Sequence, residues 1–188
     1  MITNETLKTI QHRRSVRSFK DQQIKEEELQ AVLKAGQTAP YAWEQARHFT
    51  VIQNKELLDK LNFLAKEAAK QLDIEDLRKI ANNEKYNCFY GAPTLIIISG
   101  DGRAPIPLEA DCAAAAQNLL LAAESIGLGS CWIHFVMFAL NSPQGPQLRK
   151  ELKIPESYKP YYAAVIGYKK VATDGIRQAK PDSITYIR

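Results

Sequence analysis

The pattern of hydrophobic and polar positions is most informative between Glu109 and Ile133, where a long apolar run ends in a clear stop signal. The few polar positions in the run recur on two narrow stripes of a helix, so most of the helix circumference is apolar. Gly127 follows the run and suits the C-terminal cap of a helix. We therefore predict a helix from Glu109 to Ile126 and then a short strand over Ser130–Ile133.

This predicted helix is too apolar on most sides for an ordinary surface helix, and two interpretations stay open. It can be the central helix of one core, or it can be shared with a second subunit, where alanines such as Ala115 and Ala122 permit close approach. A membrane span is not predicted, because Asp111, Gln117 and Glu124 interrupt the run before the roughly 20 apolar residues that a span requires.

The rest of the chain alternates between helical and strand-like patterns. Apolar residues at helical spacing predict five more helices, and short β-branched runs predict three more strands. The tail from Val171 to Arg188 has no periodicity until Ile184, so we expect it to lie against another surface. The predicted helices cover residues 4–12, 25–35, 55–70, 73–81 and 142–152, the last one starting at Ser142-Pro143, and the predicted strands cover residues 49–52, 94–99 and 161–168.

The composition is that of an ordinary globular protein, with 188 residues, 45% hydrophobic and 24% charged. This length is enough for one sizeable core, so we predict a single domain over residues 1–188. The net charge of +4 is modest and, outside residues 12–20, the basic residues are spread out, which does not favour nucleic-acid binding. The three cysteines lack the spacing of a disulfide framework and no signal-peptide pattern is present, so we expect a cytoplasmic location.

A short basic segment follows the first predicted helix, with the sequence Arg13-Arg14-Ser15-Val16-Arg17-Ser18-Phe19. Guanidinium groups bind phosphate oxygens through two parallel hydrogen bonds, and serine can add its hydroxyl or its backbone N–H. The segment is therefore a candidate site for one terminal phosphate. Two other interpretations stay open on the residues alone, namely a solvated basic turn and a site that a kinase phosphorylates.

The loop from Tyr41 to His48 joins a predicted helix to a predicted strand and carries two large aromatic residues, Tyr41 and Trp43. These rings can cover an edge of the core, or they can stack on a planar ligand. The sequence has no glycine-rich dinucleotide motif, no P-loop and no nucleophile-elbow motif. Its three histidines have no ligand spacing, so we expect no metal site.

Four stretches, taken together and in this order, resemble the nitroreductase family of FMN-dependent oxidoreductases. They are RRSVRSF at 13–19, the loop ending in QARHFTVI at 39–52, FYGAPTLIIIS at 89–99 and DCAAAAQNLLLAAESIGLGSCWI at 111–133. The resemblance implies an α+β fold, a three-layer α-β-α sandwich with a mixed sheet. It also implies an obligate homodimer with one FMN in each of two interface sites, in which the C-terminal segment is exchanged with the partner subunit.

The same resemblance assigns site residues as expectations. Arg13, Arg14 and Ser15 would hold the FMN phosphate and ribityl chain, and Arg17 would lie near the pyrimidine edge of the flavin. The second subunit would cover the isoalloxazine with the segment Tyr41-Ala42-Trp43. The remaining matches are Gln45 in that loop, the strand end Cys131, Trp132, Ile133 and His134 near flavin N5, and the C-terminal basic residues Lys169, Lys170 and Arg177.

Two positions depart from the family pattern. Glu44 stands where the family often has an asparagine, and His134 stands where a glycine is common. Both lie in segments that the resemblance places around the flavin. The sequence does not determine how either residue affects the space for a stacked substrate.

The resemblance implies an NAD(P)H-dependent flavin oxidoreductase. NAD(P)H would deliver hydride to flavin N5 and leave, and an electron-poor acceptor such as a nitroaromatic or a quinone would then take its place and be reduced. Other flavin chemistry of the family, such as reductive dehalogenation or flavin breakdown, and a flavin-binding protein without turnover are the alternatives. The sequence determines neither the physiological substrate nor the choice between NADH and NADPH, and it identifies no catalytic side chain.

Overall fold

The computed structural model describes residues 2–173, 175 and 183–188, and within them the chain forms four strands and seven helices. Two helical layers enclose a central sheet, which confirms the α+β class and the three-layer sandwich. The strands are β1 (Arg47–Ile52), β2 (Thr94–Asp101), β3 (Gly129–Ile133) and β4 (Tyr158–Gly167). The helices are α1 (Glu5–His12), α2 (Glu26–Gln37), α3 (Lys55–Lys70), α4 (Glu75–Asn82), α5 (Glu109–Ser125), α6 (Val136–Leu140) and α7 (Gly145–Glu151).

The sheet has the order β1-β2-β4-β3, and every pair of neighbouring strands is antiparallel. The strands β2 and β3 run in the same direction, but β4 lies between them and pairs antiparallel with both. Our expectation of a mixed sheet is therefore wrong for these four strands. Parallel pairing in the described part of the chain is limited to the isolated bridge between Ser15 and Ser130.

Strand β2 is buried on both faces, as its continuous apolar run predicts. Leu95 and Ile97 face one core, which they share with α3 and α6. Ile96 and Ile98 face the other core, which they share with α2 and α5. The alternation along β2 thus separates the two helical layers of the sandwich.

Helix α5 lies in the second core with one of its two polar stripes turned towards α2. The Asn118 side chain donates a hydrogen bond to the Ala35 carbonyl at 3.0 Å, and Gly36 lets α2 approach Leu119 closely. Ala115 is fully buried in this packing. The surface of α5 beside Asn118 remains accessible, because Ala122, one helical turn further along, is only half-buried and Ile126 is exposed. Helix α5 is therefore a core helix that keeps one free apolar face.

The helix predicted over residues 142–152 is wrong at its start. Two short helices, α6 and α7, occupy this region, and Ser142 lies in the turn between them. Its hydroxyl donates to the Ala139 carbonyl at 2.8 Å instead of capping α7. The Arg149 guanidinium reaches back from α7 and donates to the Leu140 carbonyl at 2.6 Å. These contacts satisfy the end of α6 and leave Ser142 outside the next helix.

Strand β4 begins earlier than its sequence pattern indicates, because Pro160 lies inside the strand. It is paired opposite Ser99 at a point where the register with β2 shifts. A proline cannot donate to the ladder, so it is tolerated in a strand mainly at edges and irregularities. Of the described residues, no helix combines the length and the apolar content that crossing a bilayer would require.

Candidate functional site

The basic segment that follows α1 runs as an extended ribbon beside the sheet. Val16 donates a backbone hydrogen bond to the Ser130 carbonyl at 2.9 Å, and Lys20 donates one to the Tyr168 carbonyl at 3.0 Å. Val16 and Phe19 are buried and fix the ribbon against the start of β3 and the end of β4. Gly129 permits this approach, because a Cβ there would lie 3.0 Å from a Val16 methyl group.

The three arginines of the ribbon carry positive charge for which the described residues supply no carboxylate partner. In the part of the chain that the structure describes, no ion pair joins Arg13, Arg14 or Arg17 to an acidic side chain. The Arg14 guanidinium instead donates to the backbone carbonyls of Gln11 and Arg13, at 2.9 Å each, and of Gly175. An uncompensated cluster of guanidinium groups of this kind is suited to bind an anion.

Cys131 on β3 lies within the electrostatic reach of this ribbon. Burial raises the pKa of the Cys131 thiol, whereas Arg17, a hydrogen bond with Ser15 and the charge of Arg13 act in the opposite direction. Burial dominates, so the thiol stays protonated at neutral pH and is a poor nucleophile. The structure therefore brings Arg13, Ser15, Arg17 and Cys131 together.

The other three residues of the predicted strand end have separate environments. Trp132 is half-buried on the α5 side of the sheet, where its ring meets Tyr162 edge to face with centroids 4.7 Å apart. Ile133 is buried in the other core. His134 is exposed at the end of β3 and lies 5.7 Å from the Phe138 ring. The side chains of Trp132 and Ile133 are thus used in packing, and only His134 is freely accessible.

The predicted C-terminal basic residues have different surroundings. The ammonium group of Lys169 is 2.9 Å from the Glu124 carboxylate, and both side chains are mostly buried. The charge of Lys169 is therefore already balanced. Lys170 is exposed, and its backbone N–H donates to the Ser18 carbonyl at 3.1 Å, which places it beside the ribbon. Arg177 lies outside the described residues.

The aromatic loop is held at the opposite end of α5. The Arg47 guanidinium donates to the carbonyls of Gln37, Ala39, Pro40 and Asp111 over distances of 2.8–3.2 Å. Within the loop, Ala42 donates its backbone N–H to the Asp111 carboxylate at 3.0 Å.

The tip of the loop is accessible. Tyr41 and Trp43 expose 49% and 47% of their surface, and Ala42, Glu44 and Gln45 are exposed as well. Glu44 has a positive φ of 37°, a backbone conformation that non-glycine residues rarely adopt.

The ribbon and the aromatic loop lie at opposite corners of the protomer. Asp111 near the start of α5 holds the loop, whereas Glu124 near its end is paired with Lys169 beside the ribbon. At 1.5 Å per residue, these two positions are about 20 Å apart along the helix. The loop leads into the edge strand β1, and the ribbon pairs with the other edge strand, β3. The structure therefore does not bring the two predicted halves of the site together within one chain.

Sequence reasoning missed a cluster of aromatic rings beside the ribbon. The Arg17 guanidinium lies 5.9 Å from the centroid of the Tyr90 ring. The Tyr90 ring meets Tyr86 edge to face, Tyr86 meets Phe135 in the same way at 5.4 Å, and Phe135 continues to Phe138. The sequence shows aromatic residues just before β2 and just after β3, but it does not show that they come into contact in the tertiary structure.

Arg47 and Asp111 were also not predicted as parts of the site. Asp111 is a buried carboxylate near the start of a largely apolar helix, and a carboxylate at such a position could have indicated a specific role. Of the described residues, no group of three or more His, Cys, Asp or Glu side chains is arranged to hold a metal ion.

Comparisons with known proteins show what the chain is similar to. The nitroreductase family model matches residues 10–168. A relative from Archaeoglobus fulgidus, provisionally named NADH dehydrogenase/NAD(P)H nitroreductase, is 31% identical over 90% of this chain and 88% of its own length. The crystal structure of a nitroreductase with bound FMN from Bacteroides fragilis is 37% identical, with a TM-score of 0.89 over 99% of this chain and 100% of the other.

A second crystal structure, of a nitroreductase with bound FMN from Desulfitobacterium hafniense, is 29% identical, with a TM-score of 0.90 over the full length of both chains. The family model and the relatives therefore cover the ribbon, the aromatic loop, helix α5 and all four strands. The chain belongs to the nitroreductase family.

Proposed function

We propose that the protein is an FMN-dependent NAD(P)H oxidoreductase that acts as a cytoplasmic homodimer and reduces electron-poor acceptors such as nitroaromatics or quinones. The observation that carries this proposal is the cluster of Arg13, Arg14 and Arg17, none of which pairs with a carboxylate of the described residues. The solved nitroreductases from Bacteroides fragilis and Desulfitobacterium hafniense were crystallised with bound FMN. All three cysteines of the chain are free and buried, in keeping with a reducing compartment.

The donor set of the ribbon fits the phosphate of FMN. Arg13 and Arg14 supply guanidinium groups, and Ser15 adds a hydroxyl and a backbone N–H, so several charge-assisted hydrogen bonds to one phosphate can form. Lys170 is exposed beside the ribbon and is the better C-terminal candidate for the same phosphate, because Lys169 is held by Glu124. Arg177 stays a candidate from the family resemblance.

The rest of the cofactor would lie along the end of β3. In this arrangement Arg17 would place positive charge beside the pyrimidine edge of the flavin, and the backbone of Cys131–His134 would line N5. Bound FMN would supply the redox chemistry, accepting hydride from NAD(P)H and passing it to the acceptor. The protein would contribute orientation, exclusion of water and the favourable field of Arg17 for the negative charge of the reduced ring. This scheme requires no side-chain acid or base.

A second subunit completes the site in this proposal. The segment Tyr41-Ala42-Trp43 and Gln45 cannot cover a flavin bound at the ribbon of their own protomer, because they lie at the opposite corner of the fold. Their exposure leaves them free to cover the flavin of a partner. An open groove of about 360 Å³ between α1 and the free face of α5, lined by Ile10, Leu121 and Ala122 among others, fits a subunit interface.

The C-terminal segment would extend this interface. Ile184, Tyr186 and Ile187 at the end of the chain are exposed apolar side chains with 65%, 70% and 96% of their surface accessible. They have little contact with their own protomer, so burying them against a partner subunit would remove a large apolar area from water. We propose that this segment is exchanged between the two subunits.

The absorption spectrum of the purified protein tests the proposal first. We expect a yellow protein with flavin bands, from which FMN is released on denaturation. Anaerobic addition of NADH or NADPH should then bleach the bands, and a nitroaromatic or a quinone should restore them. A protein that takes up no FMN would contradict the proposal, and so would a flavin that neither reduced nicotinamide bleaches.

A further inference from the structure

We propose that Tyr90 is a positioning residue whose ring fixes the Arg17 guanidinium beside the flavin. The inference rests on the proposed FMN site, since the position of Arg17 matters only if a flavin binds beside it. It starts from the finding that the Arg17 guanidinium lies 5.9 Å from the centroid of the Tyr90 ring. A cation over an aromatic face at this distance is attracted by the quadrupole of the ring.

The backbone at Tyr90 is held in an unusual conformation. Tyr90 has a φ of 56° and Gly91 a φ of 74°, so two consecutive residues are left-handed. For a bulky residue such as tyrosine this conformation is unfavourable and persists only where the surroundings impose it. Here Tyr90 donates its N–H to the Asn87 carbonyl at 3.0 Å, and Ala92 donates to the Phe89 carbonyl at 3.0 Å.

The Asn87 side chain adds a third contact to this turn, because its oxygen accepts a hydrogen bond from the Phe89 N–H at 2.8 Å. A glycine or an asparagine would meet the backbone requirement at position 90 with less strain. The turn alone therefore gives no reason for a tyrosine.

The Tyr90 ring is also fixed from its other side. Its centroid lies 6.2 Å from that of Tyr86, with the two planes at 86°, and Tyr86 packs in the same edge-to-face manner on Phe135. Burial, and after it the neighbouring Tyr90 side chain, raise the pKa of the Tyr86 phenol. Phe135 follows the end of β3, so the row of rings connects the strand that would line the flavin to the ring beneath Arg17.

Arg17 needs such a support because nothing else in the described part of the chain holds its charge. Its side chain is exposed, and no acidic residue pairs with it there. A free arginine at the surface samples many rotamers, and its average field on a neighbouring group is weakened by water. A ring beneath the guanidinium restricts those rotamers without cancelling the charge, which a carboxylate partner would do.

Two substitutions at one position separate the ring from the other properties of Tyr90. Tyr90→Phe keeps the aromatic face and removes only the hydroxyl. Tyr90→Asn removes the ring but tolerates the left-handed backbone, so it limits the risk of unfolding. Tyr161→Leu is the matched control, because it removes another cation–π pair, with Lys159 at 5.1 Å, at the opposite end of the sheet.

The first measurement is the midpoint potential of the bound FMN. Arg17→Ala should lower it, because the reduced ring loses a stabilising positive charge. Tyr90→Asn should also lower the potential, but by less, since the positive charge of Arg17 is still present and only the restraint on its position is lost. Tyr90→Phe and Tyr161→Leu should leave the potential at the wild-type value.

The second measurement uses the protein without FMN, by following the proton chemical shifts of the Arg17 side chain. The ring current of Tyr90 should shift them upfield in the wild type and in Tyr90→Phe, and this shift should disappear in Tyr90→Asn. A Tyr90→Asn protein that binds FMN with an unchanged potential would overturn the inference and leave the proposed function standing. A wild-type protein without affinity for FMN would instead remove the proposed function, and the inference with it.

Discussion

The backbone N–H of Ala42 donates a hydrogen bond to the carboxylate of Asp111 at 3.0 Å. This contact joins the aromatic loop to the first turn of α5, where the carboxylate is buried and the helix dipole favours its negative charge. Arg47 secures the same loop through several carbonyls. Asp111 and Arg47 therefore determine where Tyr41 and Trp43 are presented.

Asp111→Ala should weaken FMN binding, because the loop loses its attachment and covers the partner's flavin less well. A hydrogen bond to a charged group contributes about 1.5–3 kcal/mol, so we expect FMN affinity to fall by roughly 10-fold to 100-fold. Fluorescence quenching titration of the apoprotein measures this. Asp111→Asn, which keeps an acceptor oxygen, should retain most of the affinity. Equal affinity in wild type and Asp111→Ala would show that the loop does not contribute to the site.

The protein should bind FMN far more tightly than riboflavin. Riboflavin lacks the phosphate, so the contacts expected from Arg13, Arg14 and Ser15 are not made, at about 1.5–3 kcal/mol for each charge-assisted hydrogen bond. Arg13→Ala should reduce the affinity for FMN and leave that for riboflavin nearly unchanged. Parallel titrations with both flavins provide the test. Similar affinities of the wild type for FMN and riboflavin would show that the ribbon does not bind the phosphate.

Two adjacent lysines should behave differently when they are truncated. Lys169→Ala leaves the Glu124 carboxylate without a partner where it is only 14% exposed, which should destabilise the fold by about 1–3 kcal/mol. Lys170→Ala should leave stability within about 0.5 kcal/mol, as is usual for surface positions, and weaken FMN binding instead. Urea unfolding of the apoproteins measures the first effect and flavin titration the second. The reverse result would assign Lys169 to the phosphate.

The sequence predicted the elements with strong local signals. The bounds of α3 were predicted as Lys55–Lys70 from the regular apolar spacing alone. The structure adds a cap, because the Asn54 side chain accepts a 2.8 Å hydrogen bond from the Leu57 N–H. The prediction at Ser142 failed because a locally good capping residue was used by α6 instead. Strand order was not predictable, since β4 enters between β2 and β3 only once the whole sheet forms.

Parts of the candidate site were predictable where the residue type alone indicates what it can bind. The cluster of Arg13, Arg14 and Arg17 predicts an anion-binding site, and the cluster has no carboxylate partner among the described residues. The supporting contacts were not predictable, because Arg47 and Tyr90 act through tertiary neighbours that local sequence does not reveal. In a helix that is apolar on most sides, the sequence also does not show which face is buried within the protomer. Ala115 turns out to be fully buried within its own protomer, and Ala122 lies on the free face of α5.

We propose that two subunits share each flavin site, with the ribbon from one chain and the aromatic loop from the other. Ala122→Glu tests it, because the substitution puts a charge on the accessible face of α5 where a partner is expected. Burying an unpaired charge costs several kcal/mol, whereas in a free protomer the new side chain can reach water. Ala122→Ser, a small polar replacement, is the matched control and should stay dimeric.

The most direct measurement is sedimentation velocity read at both protein and flavin wavelengths. We expect the wild type and Ala122→Ser to sediment as dimers that carry flavin, and Ala122→Glu to sediment as a folded monomer without flavin. A stable monomer that carries a full complement of flavin, in the wild type or in the variant, would contradict the shared site.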